Sequence, residues 1–232
     1  MEPLLIFGAT RGVGLALARL ERARGRRVFA MTRSGSDPAG LSALAELGVE
    51  AVPGDALDRG AVAAVFDRVP PACTVVSTIG GLAADSRRAD DEGNINLIDE
   101  AGKAGVARRF VLVTSIGCGE MAPYRSPQAI AAFGAAVDAK TRAEERLRAS
   151  SLAWTILRPG GLLSEPATGR GMLSEDAELH GFIHRADMAE LVSLVLQDDA
   201  TIGRAFAAVD AGRARSIHPL VAFPLIQAGP PA

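Results

Sequence analysis

The sequence predicts an α/β fold: one doubly wound domain around a mostly parallel central sheet. Three observations carry this. Short β-like runs alternate with helical patterns along almost the whole chain. Those runs are near-continuously apolar, as strands buried on both faces require. The first of them leads directly into a glycine-rich turn, "GATRGVG".

The elements follow in order. "PLLIFGA" (3–9) reads as a strand, and "GVGLALARLERARG" (12–25) as a helix with Leu15, Ala18 and Leu20 near one face. "RVFAMT" (27–32) is a second strand, "GLSALAELG" (40–48) a short helix stopped by Gly48, and "VEAVPGD" (49–55) a third strand with its exit loop. "RGAVAAVFDRV" (59–69) is helical and "CTVVSTIG" (73–80) a fourth strand. "DEGNINLIDEAGKAG" (91–105) is a helix, "RRFVLVTS" (108–115) a fifth strand, and 127–150 a long helix. "LAWTILRP" (152–159) is a sixth strand. A further strand is expected near 178–183, a helix at 185–198 and a last strand at 204–210. From Ala211 the chain carries Pro219, Pro224, Pro230 and Pro231, which predicts an irregular tail over 211–232.

Composition narrows the function classes. A chain of 232 residues with 48% hydrophobic and 22% charged residues can build a packed core. Aromatics are only 4%, so that core rests on Ala, Val, Leu and Ile. The net charge of −2, with both signs interspersed, argues against a nucleic-acid surface. The basic run "RARGRR" (22–27) reads as a helix C-terminus capped by Gly25. Cys73 and Cys118 form neither a disulfide framework nor a zinc pattern. No 18-residue apolar stretch and no basic leader occur, so a cytoplasmic protein without a membrane partner is expected.

Gly8, Gly12 and Gly14 lie between a predicted strand and a predicted helix, the context of a dinucleotide site in a Rossmann fold. Small residues let the backbone approach a pyrophosphate, whose charge the helix N-terminus holds. At the end of the second strand, NAD sites place a carboxylate for the ribose hydroxyl. Here "MTRSGS" offers Arg33, with Arg11 in the glycine loop as a second cation. A guanidinium pairs bidentately with a 2′-phosphate, so NADP(H) is the expected cofactor.

These residues, with "PGDALD", "VVSTIGG", "GNINLIDEAGKAGVARRFVLVTSIG", "AKTRAEERLRAS", "WTILRPGGL" and "IHRADMAEL", resemble an atypical short-chain dehydrogenase/reductase. The nearer resemblance is to the NmrA-like NAD(P)-binding branch that includes biliverdin reductase B-like flavin reductases. It covers residues 3–210. It implies a cofactor site made of Gly8, Thr10, Arg11, Gly12, Val13 and Gly14, with Arg33 at the second strand. Asp55 and Ala56 would lie by the adenine, and Ser77, Thr78, Ile79 and Gly80 along the ribose and nicotinamide side. Thr114 and Ser115 would end the fifth strand beside the nicotinamide. Lys140 would bind the ribose hydroxyls, and Pro159, Gly160 and Gly161 the carboxamide. The glycine spacing is that of ordinary short-chain reductases rather than the G-x-x-G-x-x-G usual in the branch, which shifts the amides that face phosphate. Residues 1–210 would then form the cofactor domain, its substrate side made by loops 116–127 and 160–183.

Ordinary short-chain reductases place a proton-donating tyrosine four positions before the lysine. Ala136 stands there, and the chain has one tyrosine, Tyr124. Reducing an unactivated ketone needs a positioned acid. A flavin, quinone or enone delocalises its own charge, and orientation over the cofactor supplies much of the rate. The expected function is therefore an NADPH-dependent reductase of a small conjugated or redox-active acceptor. Ser115, Lys140 and Tyr124 are the candidate catalytic residues. The alternatives are a non-catalytic redox sensor of the NmrA type, or a cofactor-dependent isomerase or dehydratase.

Other groups carry weaker signals. His180 and His184 have helical spacing with Asp187 nearby, but Gly181 and Phe182 between them spoil a metal geometry, so no metal is expected. Asp187 is read as a cap or orienting group, with His184 able to reach the substrate side. Cys118 is read as an ordinary loop thiol, and Glu144 and Glu145 as surface pairs with Arg142, Arg146 and Arg148. The segment 162–180 reads as a mobile lid. A small-molecule partner is expected, in a monomer or homodimer.

Overall fold

Every side chain of the first strand, β1 (Leu4–Phe7), is buried, because the strand is packed on both faces. Leu4 and Ile6 join one core cluster; Leu5 and Phe7 join the other. This is the alternation that a pleated strand imposes. In the computed structural model, which describes residues 1–226, the same logic repeats along the chain.

Helix α1 (Gly12–Ala23) is followed by β2 (Val28–Thr32), α2 (Pro38–Glu46), β3 (Glu50–Pro53), α3 (Arg59–Phe66) and β4 (Cys73–Ser77). A π-helical turn at Ala89–Gly93 leads into α4 (Asn94–Ala104), then β5 (Ala107–Val113) and a 3₁₀ turn at Gly119–Tyr124. The long α5 (Pro127–Arg148) and β6 (Trp154–Pro159) follow. The last part contains β7 (Gly161–Leu163), β8 (Gly171–Ser174), β9 (Phe182–His184), α6 (Arg185–Val195) and β10 (Arg204–Asp210).

Eight strands make one sheet in the order β3-β2-β1-β4-β5-β6-β10-β8. All neighbours are parallel except β8, which runs antiparallel to β10. Helices α1 and α6 contribute Leu17, Met188 and Val192 to one core cluster. Helices α3, α4 and α5 contribute Val62, Leu97 and Leu147 to the other. The strand order reverses between β1 and β4, which opens the crevice where such sheets bind ligands.

Local chemistry sets the helix ends. Asp37 accepts a hydrogen bond from the Ala39 amide at the start of α2, and Ser126 one from the Ala129 amide at the start of α5. Each cap is followed by proline, whose fixed φ suits the first helical turn. The "RARGRR" run is pinned: Arg26 lies 3.2 Å from Glu21, Arg24 pairs with Glu190, and Arg27 with Glu50 at 2.5 Å.

Several expectations are corrected. The buried face of α1 carries Val13, Leu17, Ala18 and Glu21, with Leu15 and Leu20 only half-buried. The strand expected near 178–183 is the shorter β9, and it pairs with β7 in a separate two-stranded sheet. The segment read as a lid contains β8, stitched to β10 from Gly171 to Ser174. Glu144 is not a surface group: it is 1% exposed and pairs with Arg158. Its arginine neighbours reach other elements, Arg142 to Asp91, Arg146 to Asp99 and Arg148 to Glu120.

The tail is irregular but attached. The His180 and Arg215 backbones exchange hydrogen bonds of 2.8 and 2.7 Å. The Phe223 amide donates to the Leu173 carbonyl, and its ring lies 4.8 Å from that of Phe206. Pro230 and Pro231 lie outside the described residues.

Candidate active site

The turn after β1 has the backbone that its glycines permit. Gly8 (φ +91°) and Gly12 (φ +59°) occupy the left-handed region that favours glycine. Gly14 is needed for another reason. A Cβ there would lie 2.3 Å from the Gly8 carbonyl oxygen, so α1 can start this close to the loop only without a side chain. Gly12 is different: nothing lies within 3.7 Å of its Cβ position, and the nearest atom belongs to Arg185.

This turn forms one wall of a cavity of about 540 Å³. Of the residues expected at the cofactor, Gly8, Thr10, Arg11, Gly12, Val13, Arg33, Asp55, Ala56, Thr78, Ile79, Gly80, Thr114, Lys140 and Pro159 all line it. Four do not. Gly14 packs beneath the loop. Ser77 is fully buried and donates to Asn94 at 2.6 Å, because strand alternation turns it away from its neighbour Thr78. Gly160 and Gly161 pack against Gly181 and the Phe182 ring; a Cβ on either would come within 2.6 Å of those groups.

The cavity suits a dinucleotide. Its glycine wall admits close backbone approach, and Arg11, Arg33 and Arg185 line it as cations. Asp55 is held by the Leu57 amide, which donates to its Oδ1 at 2.9 Å. At the other end Lys140 meets Asp90, Nζ to Oδ1, at 2.7 Å. Arg185 donates to the Leu162 carbonyl and the Ser164 hydroxyl, tying α6 to β7 and to the residue that follows it.

Beneath Thr114 lies a buried polar network. Its hydroxyl donates to Glu144 at 2.6 Å, and Glu144 takes hydrogen bonds from Arg158, which also reaches Glu120. Burial alone would lower the pKa of Arg158, but the two carboxylates outweigh it and hold the guanidinium above its ordinary range. Removing one partner of such a buried pair typically costs about 3–5 kcal/mol. The network therefore fixes the end of β5 at the site.

The first residue beyond Thr114 opens a second cavity, of about 320 Å³. Ser115 and Tyr124 line it with Ile116, Gly117, Arg125, Ser126, Ala129, Phe133, Val137 and His180. The candidate catalytic residues thus divide: Lys140 stands in the first cavity, Ser115 and Tyr124 in the second.

His184 lines neither cavity. It is 2% exposed, with Nδ1 at 3.4 Å from Asp187 and 3.8 Å from Asp210. These three residues could in principle gather round an ion, but both carboxylates already accept protein hydrogen bonds. Asp187 takes the Thr168 and Gly169 amides and Asp210 the Gly212 amide, while the Thr168 hydroxyl bonds both. Asp187 orients this loop rather than capping its own helix. Cys118 is fully buried, and burial, followed by the charge on Glu144, pushes its thiol up to about 12.

Asp90, Arg185, Ser36 and Leu162 also line the first cavity and were not anticipated. Arg185 lay within a motif already noted. Asp90 had no local signal, since its partner stands on α5.

The chain matches the NAD(P)H-binding family over residues 8–199. It is 39% identical in sequence to the structure of ChuY, an anaerobilin reductase from Escherichia coli O157:H7. The two superpose with a TM-score of 0.81 over 90% of this chain and 97% of that one. The uncharacterized sugar epimerase YhfK of Bacillus subtilis is 36% identical over 117 residues, which is 50% of this chain and 51% of that protein. With that curated relative, then, the match spans about half of each length. A wide-type short-chain dehydrogenase/reductase from Veillonella parvula in complex with NADP shares the fold at 15% identity, with a TM-score of 0.69 over 91% of this chain and 96% of that one. Among the described residues no helix is long and apolar enough to cross a membrane. The match over most of the chain, together with the glycine turn and its cavity, makes this protein a member of the NAD(P)H-binding family, of the atypical short-chain dehydrogenase/reductase type.

Proposed function

We propose that the protein is an NADPH-dependent reductase of a conjugated acceptor, and that a linear tetrapyrrole of the bilin kind is the acceptor class to test first. The observation that carries this reading is that two consecutive residues, Thr114 and Ser115, line two different cavities. One has the shape and donors for a dinucleotide. The other is walled mainly by Ile116, Ala129, Phe133 and Val137, suited to a flat apolar molecule.

When bound, the reduced nicotinamide supplies a hydride. The residues of this chain do the rest. Arg33 and Arg11 are the cations available to a 2′-phosphate, which favours NADP(H) over NAD(H). Lys140, held by Asp90, is placed for the ribose hydroxyls. Ser115 orients the acceptor by hydrogen bonding. The segments 116–127 and 160–183 form the substrate side. The absence of a tyrosine at 136 suits an acceptor that spreads its own negative charge. Similarity to ChuY supports the bilin class.

The test follows NADPH absorbance at 340 nm with the full chain, biliverdin, flavins, quinones and enones, with Lys140→Ala as control. Acceptor-dependent oxidation that collapses in the variant supports the reductase. Tight NADPH binding with no turnover on any acceptor would overturn it and favour a cofactor sensor or a redox-neutral reaction.

A further inference from the structure

The second cavity contains a titratable ring for which the reading above has no use, that of His180. Resting on that reading, we propose that His180 is the proton donor to the reduced acceptor.

Among the described residues that line the two cavities, Lys140, Ser115, Tyr124 and His180 are the candidates to carry a proton, and three fit the task poorly. Lys140 is engaged by Asp90 at 2.7 Å in the other cavity. Ser115 is a weak acid. Tyr124 stands at the rim, 44% exposed. His180 is half-buried in the wall of the same cavity as Ser115. Histidine is the side-chain type that most often transfers protons in catalysis.

Its placement is built rather than incidental. Both backbone groups of His180 are bonded to Arg215, and the neighbouring Gly181 carbonyl accepts from the Gly161 amide at 2.9 Å. Gly181 packs so closely on the tail that a Cβ would lie 2.6 Å from the Arg213 carbonyl oxygen. The ring is therefore presented by a segment clamped from two sides. The other two histidines lie against carboxylates, His184 at 3.4 Å from Asp187 and His218 at 3.3 Å from Glu178. Among the described residues no carboxylate lines the His180 cavity, and Arg125 and Tyr124 are its other ionisable groups. Outside it, Asp176 stands four residues before His180 in the chain, and Arg213 and Arg215 belong to the clamping tail.

The step balances. An electrophilic carbon of the acceptor gains the hydride, with both its electrons, from the reduced nicotinamide, which is oxidised. The conjugated system passes an electron pair to its terminal nitrogen or oxygen. That atom forms a bond to the proton of the His180 imidazolium as the ring N–H breaks. His180 then regains a proton from water through the exposed rim at Tyr124 and Phe133.

The experiment compares the full-length protein with His180→Gln and His180→Ala on two acceptors. On biliverdin the electron pair ends on a nitrogen or oxygen that takes up its proton as the hydride arrives. Menadione, a quinone, holds its charge until solvent protonates it. Expected for both variants is a fall in kcat on biliverdin of about 100- to 10,000-fold, with menadione turnover and NADPH affinity retained. Unchanged biliverdin turnover, or equal losses on both acceptors, would overturn the assignment and leave the reductase reading standing. Wild-type turnover of menadione but not of biliverdin would do the same. Wild-type inertness on both, despite NADPH binding, would overturn the two together.

Discussion

Lys140 and Asp90, brought together from α5 and the turn before α4, meet at 2.7 Å at one end of the larger cavity. Asp90 is 2% exposed, and its second oxygen accepts the Gly81 amide at 2.9 Å. The lysine is thus held in place before any ligand arrives. Asp90→Ala frees Lys140 and removes the acceptor of the exposed Gly81 amide, a hydrogen bond to a charged group that contributes about 1.5–3 kcal/mol. The expected result is a lower urea midpoint and weaker NADPH binding, with Asp90→Asn intermediate in both. NADPH titration of the two variants checks it. Wild-type affinity in Asp90→Ala would remove the positioning role.

In the proposed reading, cofactor choice turns on Arg33. A charged hydrogen bond to phosphate contributes about 1.5–3 kcal/mol. Arg33→Ala is therefore expected to weaken NADPH binding by about 10- to 150-fold and to leave NADH binding nearly unchanged. Parallel titrations with the two cofactors decide the matter, and equal losses for both would rule out recognition of the 2′-phosphate.

Gly14 and Gly12 should respond oppositely in kind. A Cβ at Gly14 meets the Gly8 carbonyl at 2.3 Å, whereas one at Gly12 has room but requires positive φ. Gly14→Ala is expected to destabilise the fold by about 1–3 kcal/mol or more, read as a lower urea midpoint at unchanged slope. Gly12→Ala should cost less stability and mainly weaken cofactor binding. A Gly14→Ala protein as stable as wild type would contradict the packing described.

Asp210 gives a signed pH effect. Burial would raise its pKa, but the Thr168 hydroxyl, the Gly212 amide and Arg170 outweigh burial and hold it below the usual carboxylate range. A carboxyl lowered in the fold stabilises fully above its unfolded pKa of about 3.9 and loses that contribution as pH falls towards the native value. The urea midpoint of Asp210→Asn should therefore lie below wild type at pH 7, with the gap narrowing below about pH 4. A gap constant down to pH 3 would contradict this linkage.

Cys118 should be inert in the folded state. Its thiol is fully buried and raised to about 12 by burial and by Glu144, so the reactive thiolate is scarce at pH 8. Ellman's reagent is expected to modify it only with unfolding, as urea dependence will show; rapid native labelling traced to Cys118 by peptide mapping would refute this.

What could be read from sequence follows the range of the forces involved. The glycine turn and the alternation of strands and helices are local and repetitive, so the sheet and most of the cavity were legible. Side-chain direction at strand ends was not. Ser77 and Gly161 neighbour residues that line the cavity but face elsewhere. Glu144 sits in a run of charges and looked exposed; only its pairing with Arg158 across α5 and β6 shows otherwise. The strand β8 escaped notice because its pairing is antiparallel and its partner, β10, comes late in the chain. In sequence His180 stands out only for its spacing from His184, and its cavity is assembled by the loop after β5, by α5 and by a segment that the tail holds in place.

The hydrogen bond from the Phe223 amide to the Leu173 carbonyl has a consequence for solubility. β8 ends the sheet, and an uncovered edge strand offers its free backbone groups to any passing chain. The tail meets that edge at Leu173 through Phe223, whose ring also packs on Phe206. The tail thus serves as a guard against edge-to-edge pairing. Protein cut after Asp210 would keep its central parallel strands yet present Met172–Ser174 as a template for self-association.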